Sequence, residues 1–222
     1  MCIRDRYTPD GSLRVAWPRA MTGPSRRIYN SLVEAPRRIY RVVFRPKSEW
    51  DHIANERTTY GTLIRRYIIP LALLAPIATA IGMSVFDTAW DAGQGYQVPA
   101  TEILGAAIAT LFALISSVFA LAGIFVLIAP MYGSSRNYLD ALKVSTFGAV
   151  PVMLAGATLL LPVMAIVGVV ALIHSLFLFW LGANVVLHVR RGEQAEFVGI
   201  SILLLSVAST LAGAAASGMG LI

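Results

Sequence analysis

The sequence predicts an all-α, polytopic membrane protein: a bundle of five transmembrane helices preceded by short cytoplasmic amphipathic helices. Of its 222 residues, 57% are hydrophobic and only 14% are charged, whereas a soluble domain carries about 25% charged residues. Residues 1–66 hold 14 of the 18 Lys and Arg residues and 6 of the 12 Asp and Glu residues. The rest of the chain has too little charge to cover a water-soluble surface, which excludes a soluble enzyme.

The predicted spans come from four runs without Asp, Glu, Lys or Arg, of 20, 33, 46 and 26 residues. About 20 helical residues cross the hydrocarbon core. Three runs therefore fit one span each, and the 46-residue run suits two spans with a break near Pro162. A three-span protein with re-entrant hairpins leaves more apolar residues unexplained. The predicted spans are approximately 66–86, 103–130, 142–161, 164–187 and 197–219.

Basic residues in the loops predict the orientation. Fourteen precede the first span, and the others are Arg136, Lys143, Arg190 and Arg191. With five spans, all 18 lie on one side of the membrane. We therefore predict a cytoplasmic N-terminus and a C-terminus outside, in a bacterial inner membrane, because the alanine-rich composition is typical of a bacterial protein.

The chain divides into three predicted regions. Residues 1–24 are polar and are expected to form a disordered tail, of which residues 1–6 (MCIRDR) resemble translated sequencing adaptor and receive no structural weight. Residues 25–65 form a cytoplasmic, basic and amphipathic segment. Residues 66–222 form the five-span domain.

The basic segment is expected to contain a pair of amphipathic helices at the membrane surface. Pro36 is expected to interrupt the first helix and to start the second, because proline is tolerated only in the first turn. Trp50 has two interpretations, a partner contact or an anchor in the headgroup layer. The candidate partner or membrane-interface contacts are Arg37, Arg38, Arg41, Pro46, Trp50 and Ile53.

Residues that could carry catalysis are scarce. The chain has no hydrolase, nucleotide-binding or zinc-protease motif, and no Asp or Glu lies in any predicted span. Its single cysteine, Cys2, excludes an intrachain disulfide. We expect no catalytic residue, no metal site, no cofactor and no nucleic-acid partner, because the excess basic charge lies next to the first span and favours the membrane surface.

Three polar residues, His174, Ser175 and Asn184, lie in the fourth predicted span. They could form a proton relay or ligand contact, or they could make hydrogen bonds across the helix bundle, worth about 0.6 kcal/mol each. We favour the second interpretation, because one histidine without an acidic partner is a poor relay. Small residues four positions apart, such as Ala78 and Gly82, suit packing within the bundle or a homo-oligomer.

Several segments resemble the Yip family of five-span membrane proteins, named for interaction with Ypt/Rab GTPases. The segment 44–54 (FRPKSEWDHIA) resembles the family's Pro-x-x-x-Trp entry motif, and the others resemble the span boundaries that follow. His174 stands where family members usually have tyrosine. The resemblance covers about residues 36–220. The further segments are 67–71 (YIIPL), 141–151 (ALKVSTFGAVP), 161–162 (LP) and 174–182 (HSLFLFWLG).

The resemblance implies a cytoplasmic N-terminal segment and no enzymatic activity. In eukaryotic members it implies binding of prenylated Rab-type GTPases, which no residue here shows. We expect a non-enzymatic scaffold or membrane-organising, trafficking-type factor that contacts the lipid bilayer, a protein at its N-terminal segment, or a second copy of itself. The alternative is a small channel or transporter with a path near His174 and Asn184.

Overall fold

The computed structural model describes the backbone of residues 24–85, 99–134, 136–160 and 165–218. The predicted tail apart from Pro24, residues 87–98 of the loop between the first two spans, and the turn at Pro162 fall outside these residues. The chain divides into two units, 1–36 and 37–222. All packing described below lies within the second unit.

Every regular element of the described chain is helical, so the predicted all-α class is confirmed. A π turn (Ile64–Ile68) joins α3 to α4, and 3-10 turns (Ala129–Tyr132 and Gly156–Leu160) follow α6 and α8. The helices are α1 (Pro24–Phe44), α2 (Pro46–Asn55), α3 (Tyr60–Leu63), α4 (Ile69–Ala72), α5 (Leu74–Val85), α6 (Ala100–Ile128), α7 (Tyr138–Gly148), α8 (Val150–Ala155), α9 (Ala165–Val185) and α10 (Gln194–Gly218).

Within these residues, four helical segments are long and apolar enough to cross a membrane, and a fifth is a bent pair. The two helices of the pair, α7 and α8, are bent by 40°. The protein is therefore a polytopic membrane protein with four or five spans. The segments, which overlap the five predicted spans in order, are Tyr60–Ser84, Ala100–Tyr132, Tyr138–Gly148 with Val150–Thr158, Ile166–Val185 and Gln194–Ala215.

The predicted helix break at Pro36 is wrong, because α1 continues through it. A proline inside a helix removes one backbone hydrogen bond and costs about 3 kcal/mol. The apolar positions of α1 keep their helical spacing on both sides of Pro36, so a continuous helix preserves one apolar face. The break comes at Pro46 instead, where Arg45 takes an extended φ of −134°, as residues before proline prefer.

The packed core of the second unit lies toward one end of its helices. In α6 the buried residues begin only at Val118, and in α10 they lie near the start, at Phe197, Val198 and Ser201. The rings of Phe125 and Phe197 stack 5.3 Å apart at this end. The same end carries the loops with the basic residues, so it is the predicted cytoplasmic end.

Candidate functional site

A cluster of charged side chains lies between the end of α1, α2 and the beginning of the first span, with Arg38 at its centre. The Arg38 Nε donates to Glu49 Oε1 at 3.0 Å, and its Nη2 donates to Glu56 Oε2. Its Nη1 approaches the Tyr67 hydroxyl at 3.5 Å. One guanidinium therefore joins α1, α2, the segment after α2 and the first span, and we call these residues and their partners the Arg38 cluster.

Glu49 is the most deeply buried acid of the Arg38 cluster. Its side chain is 3% exposed, and Arg41 Nε binds its second oxygen at 2.8 Å. Two cations thus neutralise one buried carboxylate. An unpaired charge at such a position costs several kcal/mol, so each partner depends on the others.

Lys143 of α7 extends the Arg38 cluster to the third span. Its side chain is only 5% exposed, and Nζ lies 3.0 Å from Asp140 Oδ1. Nζ also donates to the backbone carbonyl of Glu56 at 3.1 Å. The ammonium group therefore holds the segment that connects α2 to the first span.

Aromatic rings close one side of the Arg38 cluster. The guanidinium carbon of Arg38 lies 5.4 Å from the ring centre of Phe147, within the range of a cation–π interaction. The rings of Tyr67 and Phe147 meet edge to face at 5.0 Å. These rings cover one side of the Arg38 guanidinium.

Trp50 fills a socket against α9. The residue is 1% exposed, and a Cβ placed at Gly182 would lie 2.8 Å from its Cη2 atom. The same Cβ would lie 2.9 Å from Val144 Cγ1. Only glycine lets the indole reach this depth, so Gly182 and Trp50 together dock α2 onto the bundle.

His174 and Ser175 each hydrogen-bond a backbone group close to a helix end. The carbonyl of Val43 has lost its helical partner because α1 ends before Pro46, and it accepts a hydrogen bond from His174 Nε2 at 3.0 Å. Ser175 Oγ accepts from the Val152 amide at 3.3 Å, next to Pro151 at the bend between α7 and α8. Both side chains of α9 therefore hydrogen-bond the backbone of another helix near its end.

Asn184 lies near the end of α9, ten residues and about 15 Å beyond His174 along the helix. Its Oδ1 accepts from Gln194 Nε2 at 3.4 Å, and Gln194 Oε1 accepts from the Gly192 amide at 2.9 Å. Asn184 thus supports the connection from α9 to α10. The structure does not bring it together with His174 in one path.

The Arg38 cluster has the chemistry of a structural junction. Burial alone would lower the pKa of Arg38, but hydrogen bonds to Glu56 and Tyr67 outweigh it and raise that pKa. The hydrogen bond from Arg38 holds the pKa of Glu56 below its ordinary value. In the described part of the chain, no group of three His, Cys, Asp or Glu residues could hold a metal ion. The arrangement suits fixing the N-terminal helices to the bundle.

Comparison with known proteins places this architecture in a family. A sequence model of the Yip1 domain matches residues 40–213, from the end of α1 to the last span. The chain belongs to the Yip1 family. The match begins just before Arg41 and covers Glu49, Trp50, Lys143 and all the spans.

The Yip1 relatives found among curated proteins are bacterial. The chain is 26% identical over 175 residues to the inner membrane protein YohC of Escherichia coli strain K12. The alignment covers 73% of this chain and 87% of that relative. YohC of Escherichia coli O6:H1 strain CFT073 shows the same identity and coverage, and no solved structure matches this chain.

The predicted contact residues of this Yip1 protein separate into buried and exposed groups. Trp50 and Ile53 are each 1% exposed, so neither is free to contact a partner or the headgroups. That part of the prediction is wrong, because both residues pack inside the protein. Arg38 also points inward, whereas Arg37 and Arg41 are exposed and Pro46 is partly exposed.

Sequence reasoning missed the acidic and lysine members of the Arg38 cluster. Glu49 was not singled out, although it precedes Trp50 directly in the sequence. Lys143 was assigned to a loop, whereas in the structure it lies in α7 and is 4% exposed. One signal was available: a lysine next to a long charge-free run is expected to find a buried partner. Its partner, the backbone carbonyl of Glu56, lies 87 residues away in the sequence. A single sequence does not reveal contacts between residues so far apart.

Replacing His174 by alanine is expected to lower the free energy of unfolding by about 1 kcal/mol, because the Val43 carbonyl loses its donor. His174→Gln, which keeps a side-chain N–H, should recover part of that loss. Thermal unfolding in detergent micelles measures both variants. Ser116→Ala is the control, since Ser116 binds only a carbonyl of its own helix, and equal stability of all three variants would refute the capping role.

Acid is expected to weaken the Arg38 cluster through Glu56. The pKa of Glu56 lies below 4.5 in the folded protein, so its contribution to stability is present above pH 4.5 and is lost as pH falls through the folded-state pKa. Because the Glu56 side chain is 44% exposed, we expect less than about 1 kcal/mol.

Unfolding midpoints measured between pH 7 and pH 3 test this expectation. Glu56→Gln should be less stable than the wild type at pH 7, and the two should converge at the acidic end. Asp51→Asn, a change on the exposed side of α2, should keep the wild-type pH dependence. A constant difference between Glu56→Gln and the wild type at every pH would contradict the linkage.

Proposed function

We propose that this Yip1-family protein is a non-enzymatic scaffold or membrane-organising factor of the bacterial inner membrane. It acts through protein or lipid contacts made by its cytoplasmic N-terminal segment. The name of the E. coli relative supports the inner membrane. The distribution of all 18 basic residues on one side of five spans supports a cytoplasmic N-terminus.

The observation that carries this proposal is the division of the end of α1 into two faces. Arg38 points into the bundle, while Tyr40 and Phe44 are 60% and 67% exposed. Their rings lie 4.6 Å apart, beside the exposed Arg37. A basic and aromatic surface of this kind suits recognition of a membrane surface or a protein. We call Arg37, Tyr40, Arg41 and Phe44 the outer face of α1.

The polar groups inside the bundle support a role without catalysis. His174 and Ser175 are committed to backbone groups, and the acids of the Arg38 cluster are paired with cations. A nucleophile needs a base that is free to accept its proton. These side chains are instead used to hold helices in place.

Site-specific photo-cross-linking in native membranes tests the proposal. A cross-linker at Arg37 or Phe44 should give discrete protein or lipid adducts, and a cross-linker at Leu203, exposed in the last span, should not give the same ones. Tyr40→Ser should weaken adducts formed at Arg37. Identical adducts from all three positions would contradict a specific outer face.

Reporter fusions test the orientation separately. A fusion after Gly192 should report the cytoplasm, and one after Ile222 should report the outside. Both reporters on the same side would contradict the five-span topology.

A further inference from the structure

Two neighbouring cavities lie where the end of α1 meets α9. The first is an apolar cavity of about 320 Å³ lined by Val43, Pro151, Leu154 and Val170, among others, with His174 at its edge. The second is a cleft of about 360 Å³ lined by Arg45, Pro46, Lys47, Ser48 and Phe177. We call them the apolar cavity and the basic cleft.

The two cavities adjoin along both helices. Val43 lines the apolar cavity and lies two residues before Arg45 of the basic cleft. On α9, His174 lines the apolar cavity and Phe177 lines the basic cleft. Their rings lie 6.1 Å apart, so the two cavities are about one helical turn apart. The pair forms a continuous site with an apolar part and a cationic part.

The cations of the basic cleft are available to a ligand. Arg45 and Lys47 are exposed, and neither forms an ion pair with any residue that the structure describes. They stand at the start of α2, Arg45 just before Pro46 and Lys47 just after it, where the helix dipole favours an anion. The charge of the cleft is therefore complementary to a phosphate group.

The two parts of the site follow one another along α9. On its outer half, α9 exposes apolar residues such as Val169 and Val170, and residues beyond Gly182 are mostly buried in the protein. Between these parts, the rings of Phe177 and Trp180 stack 6.2 Å apart and are partly exposed. Within the span Ile166–Val185, the apolar cavity therefore lies beside the middle of α9, and the basic cleft lies about one turn nearer its predicted cytoplasmic end.

We propose that the basic cleft and the apolar cavity together bind one anionic phospholipid. Its phosphate group contacts Arg45 and Lys47, and part of one acyl chain occupies the apolar cavity. Basic pockets between membrane helices on the cytoplasmic side are suited to such lipids. This proposal deepens the proposed function by naming a lipid partner, and it rests on that function only for the cytoplasmic position of the cleft.

Lipid binding to the purified full-length protein, followed by native mass spectrometry in detergent, tests the site. The probes are phosphatidylglycerol, phosphatidylcholine with the same acyl chains, and glycerol phosphate without chains. We expect one saturable site for phosphatidylglycerol, with weaker binding of phosphatidylcholine and of glycerol phosphate. Equal binding of the two lipids, or glycerol phosphate binding as tightly as phosphatidylglycerol, would overturn the proposal.

Variants of each cavity locate the bound lipid. Arg45→Ala with Lys47→Ala should weaken phosphatidylglycerol binding about 30-fold, or about fivefold for each cation. Val170→Trp should weaken it by filling the apolar cavity, whereas Val169→Trp, on the adjacent exposed position, should not. Wild-type affinity in the double variant would overturn the proposal even if a tryptophan variant failed to fold.

The two proposals can fail separately. The lipid site depends on Arg45, Lys47 and Val170, whereas the cross-linking test uses the outer face of α1. Loss of lipid binding in the double variant with unchanged adducts at Arg37 would support both proposals.

Discussion

Replacing Arg38 by alanine is expected to lower the free energy of unfolding by about 3–5 kcal/mol. The change removes the ion pairs to Glu49 and Glu56 and leaves Glu49, which is 2% exposed, with Arg41 alone. It also removes the cation beside Phe147. Unfolding in mixed detergent micelles measures the loss.

Arg37→Ala is the matched control for Arg38→Ala, because Arg37 is the adjacent residue of the same helix and is exposed. It should change stability by no more than about 0.5 kcal/mol. Arg38→Lys should recover only part of the loss, because an ammonium group cannot bind Glu49 and Glu56 in the forked geometry of a guanidinium. Equal effects of Arg37→Ala and Arg38→Ala would contradict the buried junction.

Replacing Trp50 by alanine is the second large effect, with an expected loss of about 3–5 kcal/mol. The indole is almost completely buried between α2 and α9, and its removal leaves a cavity. Trp180→Ala provides a matched control, because Trp180 is 40% exposed. Its effect on stability in the same micelles should be much smaller.

Gly182→Ala tests the contact itself. The new Cβ would overlap Trp50 Cη2 at 2.8 Å, and overpacking of this kind costs about 1–3 kcal/mol. Trp50→Phe removes the clashing atoms of the indole, so the double variant should be more stable than the sum of the single effects predicts. If the stability changes of the two single variants simply add in the double variant, the contact between Trp50 and Gly182 is contradicted. Gly199→Ala controls for the change of glycine to alanine in a helix, because its added Cβ meets nothing within 4 Å.

The membrane helices were predictable because the signal is local. A run of about 20 apolar residues without charge is the length that crosses the hydrocarbon core. The spans therefore lie close to where the sequence predicts them. The third span is the partial exception. Pro151 lies inside this predicted span, beside the 40° bend between α7 and α8, where the Val152 amide donates to Ser175 of another helix.

The Arg38 cluster was not predictable from the sequence because its partners are distant. Arg38 and Tyr67 are 29 residues apart, and Lys143 and Glu56 are 87 apart. Amphipathic spacing placed Arg38 on a polar face, and a polar face is normally assigned to solvent. In the structure other helices pack against that face, so Arg38 points inward. Packing by other helices also makes Trp50 a core residue and not a surface anchor.

The same reasoning explains why Pro36 was misjudged. Proline has a known local cost in a helix interior, yet α1 continues through Pro36. At Pro46 the outcome differs: Arg45, with φ −134°, leaves the helical conformation, and His174 binds the carbonyl of Val43 near the end of α1.

The central claim is that the end of α1 and all of α2 are built into the membrane domain. Hydrogen exchange of the full-length protein in lipid nanodiscs tests it most directly. We predict that the amides of residues 49–55 exchange as slowly as those of α7, and that Arg38→Ala accelerates them while α10 is unchanged. Rapid exchange of residues 49–55 in the wild-type protein would contradict the claim.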